Sequence, residues 1–103
     1  MTGTAAMNGK MTRHAPADTH DLRIDGDRLW SSLMALAQIG ATDKGVVCRL
    51  ALTDLDRQAR DLVVGWGRDA GLAITVDQIG NVFMRRAGRD DHAPPVMMGS
   101  HID

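Results

Sequence analysis

The 103-residue sequence has a single cysteine, no tyrosine, two tryptophans and one phenylalanine. Cys48 alone can form no internal disulfide, so the fold is not a disulfide scaffold, and this cysteine usage suits a reducing compartment. With so few rings, the core has to be aliphatic. Excess charge is missing too: 12 basic residues stand against 13 acidic ones, for a formal net charge of −1. Phosphate binding needs a basic excess on one face, and single-strand binding needs stacking rings, so no nucleic-acid partner is expected. No apolar run approaches the roughly 20 residues that span a bilayer. The opening MTGTAAMNGKMTRHAPADTH lacks both the apolar segment of a secretory signal and the Arg- and Ser-rich character of a transit peptide. A cytoplasmic protein with no membrane partner is expected.

What is present is a 44% apolar content, enough for the modest core of at most one domain. Residues 1–21 are small and polar without periodicity. They are expected to form a flexible tail in which His14 and His20 are solvated, leaving 22–103 to carry the fold. Asp25 or Asp27 can cap a helix that runs to about Ile39. Leu29, Leu33, Leu36 and Ala37 line one face of it, and Trp30 and Met34 widen that face. Gly40 follows where a left-handed residue closes a helix. Residues 41–52 read as a connector with a short apolar run. Thr53 then caps a second helix to about Ala70, with Asp54 and Asp56 at its positive end and Gly71 after it. Gly65 and Gly67 inside this helix each cost about 1 kcal/mol relative to alanine, a cost that close packing against a neighbour would explain.

Leu72, Ile74 and Val76 alternate with smaller residues, which predicts a half-buried strand. Residues 77–81 predict a turn and 81–86 a second strand, together a hairpin. Residues 87–93 read as a polar loop with a solvated His92. Pro94-Pro95 sets up the run Val96 to Gly99, expected as a third, buried strand. The expectation is one layered α/β domain with Leu29, Leu33, Leu36, Leu62, Val63, Trp66, Ile74, Val76, Val96 and Met97 mostly buried.

The chemistry gathers at the end of that last run, in Gly99-Ser100-His101-Ile102-Asp103. In open α/β sheets ligands bind at the C-terminal edge of the strands. A histidine there with an aspartate two residues on suits a metal ligand, His101, and its orienting partner, Asp103. The plainer reading is a histidine capped by Ser100 or Asp103 at an ordinary strand end. Arg49 in the connector is expected to make a structural salt bridge rather than to bind an anionic group.

Five segments in order carry a resemblance: RLWSSLMALAQIGATDKG (28–45), CRLALTDLDRQARD (48–61), AGL (70–72), VDQIGNVFMRRAG (76–88) and PPVMMGSHID (94–103). Together they resemble the N-terminal part of the hydantoinase/carbamoylase family of amidases, metal-dependent hydrolases related to metallopeptidases. Val46 departs from the family pattern where many members have a second glycine, and Met98 where a smaller or polar residue is common. The resemblance implies an incomplete α/β fold, the N-terminal part of a three-layer α/β/α metallohydrolase catalytic domain (22–103). His101 would be a metal ligand of a two-ion site, and Asp103 the catalytic-site carboxylate beside it. Asp77, Gly80 and Asn81 would hold the hairpin turn. The implied cofactor is a pair of divalent ions, zinc or manganese, with cobalt or nickel also suited to such a site. The implied substrates are small ureido or carbamoyl compounds: N-carbamoyl-L-amino acids, N-carbamoyl-β-alanine or allantoate. The full-length enzyme would be a homodimer. The remaining ligands of the family and its glutamate base match nothing here, and the sequence contains no glutamate at all. The 103 residues alone are therefore expected to be inactive and marginally stable. The competing reading is a small non-catalytic α/β interaction module in which residues 101–103 are only a chain end.

Overall fold

The computed structural model describes residues 18–103. Most of the expected tail, with His14, lies outside them. Helix α1 spans Gly26–Gln38, helix α2 Asp54–Asp69, strand β1 Ala73–Val76 and strand β2 Val82–Arg85.

Both helices begin on the caps that the sequence provides. The Asp25 carboxylate accepts from the Arg28 amide at 3.0 Å, and the Thr53 hydroxyl accepts from the Asp56 amide at 3.3 Å. Such caps contribute about 1 kcal/mol each by satisfying amides with no partner inside the helix. The ends are equally local. Gly40 adopts φ 83° after α1 and Gly71 φ 78° after α2. The amide of Leu72 returns to the Gly67 carbonyl at 2.9 Å, turning the chain from helix into strand.

The strands pair antiparallel with Ile74 opposite Met84 and Val76 opposite Val82. Since side chains alternate across a strand, these four share one face of the hairpin, and α2 packs on that face against β1. Gly67 sits at the contact and is buried. A Cβ added there would lie 2.6 Å from Met84 Sδ and 3.1 Å from Ile74 Cδ1. The cost of that glycine is thus offset by close approach of helix and hairpin. Gly65 has nothing within 4 Å of an added Cβ, so the packing reason expected for both glycines holds for one.

Two expectations are corrected. Residues 96–99 form no strand: no described strand lies alongside them, and their backbone pairs with none of the described residues. Val96 is 93% and Met97 80% exposed. The expected core is also thinner than the pattern suggested. Leu36, Leu62, Val63, Trp66 and Ile74 are half-buried, while Leu29, Leu33 and Val76 are exposed. The physical reason is the same in each case. An apolar face is buried only when another element lies over it, and among the described residues none covers the Leu29–Leu33 face of α1. Ala59 is the one buried apolar side chain among those residues. Among the described residues the result is an α/β arrangement of two helices and one hairpin.

Candidate functional site

The hairpin turn is held by one carboxylate. Asp77 Oδ1 accepts from the amides of Ile79 at 3.0 Å and Asn81 at 2.9 Å, and Oδ2 accepts from Asn81 Nδ2 at 2.8 Å. The Asn81 side-chain bond, helped by backbone amides, holds the Asp77 carboxyl below its ordinary pKa. Gly80 completes the turn at φ 90°, and its carbonyl accepts from Arg60 Nη2 at 2.6 Å, which ties the turn to α2. The Asp-x-x-Gly-Asn pattern is structural, as expected.

The segment 101–103 carries the candidate site. His101 Nδ1 lies 3.4 Å from Asp103 Oδ1. That distance is longer than a close N–H···O bond, and it sets the carboxylate beside one ring nitrogen. The other nitrogen, Nε2, is left open, for the imidazole is 92% exposed and the Asp103 side chain 46%. A carboxylate that hydrogen-bonds Nδ1 is the partner found behind metal-bound histidines, and Asp103 lies on that side of the ring. The structure thus brings His101 and Asp103 together. It adds no third donor: among the described residues no group of three or more His, Cys or Asp side chains could hold a metal ion. His20 and His92 sit in separate polar turns, where their amides bond Asp18 and Asp90. A catalytic ion needs about three protein ligands, so the pair fits one ligand and its orienting partner rather than a whole site.

Arg49 departs from expectation. Among the described residues it makes no salt bridge. Its Nη1 donates to the carbonyls of Leu36 at 2.8 Å and Ile39 at 2.7 Å, and its Nε donates to the carbonyl of Ile102 at 2.8 Å. The first two acceptors are carbonyls at the end of α1, where that of Leu36 also accepts from the Ile39 amide at 3.1 Å. A hydrogen bond from a charged donor contributes roughly 1.5–3 kcal/mol when made out of water, and less at a half-buried side chain such as this. The expectation of an ion pair failed because the acceptors are main-chain oxygens, which leave no mark in the sequence. The readable signal was local: an arginine eleven residues beyond the last residue of a helix closed by glycine.

No model of a known protein family matches the sequence. Curated relatives do. The chain is 46% identical over 81 residues to an N-carbamoyl-L-amino-acid amidohydrolase of Rhizobium meliloti, covering 79% of this chain and 20% of that protein. To the N-carbamoyl-L-amino acid amidohydrolase of Geobacillus stearothermophilus it is 42% identical over 80 residues, 78% of this chain and 20% of the relative. A crystal structure of a hydantoinase/carbamoylase family amidase from Burkholderia ambifaria superposes with a TM-score of 0.77 at 58% identity, covering 80% of this chain and 20% of that one. The described helices and hairpin therefore match part of an α/β domain seen in solved amidases. The chain spans about one fifth of the length of these relatives. Over some four-fifths of its own length, this chain belongs to the hydantoinase/carbamoylase family of amidases.

Proposed function

We propose that this segment serves a metal-dependent amidohydrolase that cleaves the C–N bond of small carbamoyl or ureido compounds, and that His101 is one of its metal ligands. The observation that carries the reading is the His101–Asp103 pair at 3.4 Å with Nε2 open. The names of the Rhizobium and Geobacillus relatives support N-carbamoyl-L-amino acids as the substrate class. Two divalent ions, zinc or manganese, would supply polarisation of the substrate carbonyl and a more acidic water at neutral pH. The roles of this chain's own residues are narrower. His101 contributes a nitrogen donor. Asp103 holds a proton on Nδ1 and orients the ring, so Nε2 faces outward. The remaining ligands and the general base come from outside these 103 residues.

The same reading makes the enzyme a cytoplasmic homodimer that binds neither nucleic acid nor membrane. Its support is the lone cysteine, the balanced charge and the family resemblance. Among the described residues, no helix is long and apolar enough to cross a membrane.

The test is a graft. Residues 22–103 replace the matching fifth of the Rhizobium meliloti amidohydrolase, and bound metal and N-carbamoyl-L-amino acid hydrolysis are measured. The graft is expected to retain both. Asp103→Ala in the graft should lower activity by about 10–100-fold, the usual cost of removing a carboxylate behind a ligating histidine. Wild-type activity in Asp103→Ala would remove the orienting role.

A further inference from the structure

Residues 94–103 carry the candidate ligand, yet they belong to no strand or helix. Among the described residues, one hydrogen bond ties this segment to the rest of the fold: Arg49 Nε to the carbonyl of Ile102, at 2.8 Å. Ile102 is half-buried, while His101 and Asp103 on either side are exposed. The same guanidinium holds the Leu36 and Ile39 carbonyls through Nη1. One planar group thus joins the end of α1 to the residue between His101 and Asp103.

The position of Arg49 is itself set by close backbone packing. Ala41 and Val47 form an isolated antiparallel bridge, and the Cys48 amide donates to the Gly40 carbonyl at 2.8 Å. A Cβ on Gly40 would lie 2.5 Å from the Cys48 carbonyl oxygen and 2.8 Å from Arg49 Cγ. Gly40 is therefore the space through which the arginine stem passes. The donor geometry matters as much. A guanidinium presents Nε–H and Nη–H from separate atoms of a rigid plane, so it can serve two groups of acceptors at once. A lysine ammonium offers its donors from one point.

We propose that Arg49 is a positioning residue for His101: it clamps the Ile102 carbonyl to the C-terminal end of α1 and so fixes where the imidazole is presented. The purpose of the clamp rests on the reading of His101 as a ligand, but its geometry does not.

The test uses the 103-residue chain and ¹⁵N relaxation, so its readout is backbone order rather than metal or activity. In the wild type, His101 and Ile102 should have order parameters near 0.85, the value of rigid backbone. Arg49→Lys should keep the order of α1, α2 and the hairpin while the values at 101 and 102 fall below about 0.6. An unchanged 101–102 segment in Arg49→Lys, or an equal loss of order throughout the chain, would overturn the proposal. The second outcome would mean that Arg49 only stabilises α1. Should the lysine variant fail to fold, the wild-type protein still decides. A scalar coupling across the hydrogen bond from Arg49 Nε to the Ile102 carbonyl carbon is expected, and its absence with a mobile 101–102 segment would end the idea. Release of 101–102 in Arg49→Lys, together with full metal content in the His101→Ala graft, would keep the clamp and remove the metal reading.

Discussion

At the scale of single residues, the positions that the sequence announces are those whose partners lie within four residues. Asp25, Thr53 and Asp77 each satisfy backbone amides one turn away, and each stands where its type and spacing predict. Asp77 gives this a pH signature. Its folded pKa is lowered, so the stability it contributes is present above its unfolded value, near pH 4, and is lost as the pH falls through the folded value. Asp77→Asn keeps a side-chain acceptor but removes the charge. The gap in urea midpoint between wild type and Asp77→Asn should be largest at pH 5–7 and should close on acidification. A gap that does not change with pH would show that the carboxylate charge does not hold the turn. Arg49 marks the limit of such reading. Its acceptor at Ile102 is 53 residues away, and a main-chain carbonyl carries no residue type to search for.

At the scale of elements, period and punctuation suffice for α1, α2 and the β1–β2 hairpin, because each closes its own hydrogen bonds and ends on a glycine or a tight turn. The third strand does not form because a strand is not a local object. Val96 to Gly99 has the composition of one, yet strand pairing needs a neighbour, and β1 and β2 pair with each other. The two helical glycines separate propensity from packing in the same way. Gly65→Ala meets open space and should raise stability by about 1 kcal/mol through helix propensity alone. Gly67→Ala gains the same propensity but drives a methyl into Met84 Sδ and Ile74 Cδ1 at an overpacking cost of about 1–3 kcal/mol, so its net effect should be a loss of about 0–2 kcal/mol rather than a gain. Denaturation of the two variants beside wild type checks the pair. Equal effects of one sign would show that α2 does not press on the hairpin at Gly67.

At the scale of the whole molecule, the layered α/β class and the family were legible, while the extent of the core was not. Periodicity marks which face of a helix is apolar, but only the tertiary structure supplies the surface that covers it. Leu29, Trp30, Leu33 and Met34 on α1, with Val96, Met97 and Met98 near the candidate site, are all exposed. Apolar surface of this kind promotes association. The purified chain should therefore bind an environment-sensitive apolar dye and scatter light as more than a monomer, whereas a dye-silent monodisperse monomer would contradict the exposure of these faces. The candidate site offers one histidine with one nearby carboxylate, and the sequence holds no glutamate. Ammonia release from N-carbamoyl-L-amino acids should consequently be absent from the chain alone with added zinc or manganese, and turnover above a His101→Ala control would refute that. The measurement that bears most directly on the central claim is metal content in the Rhizobium meliloti graft carrying His101→Ala. We expect the variant to lose bound metal and all activity while the unmutated graft keeps both. Full metal content and full activity in His101→Ala would show that His101 is not a ligand.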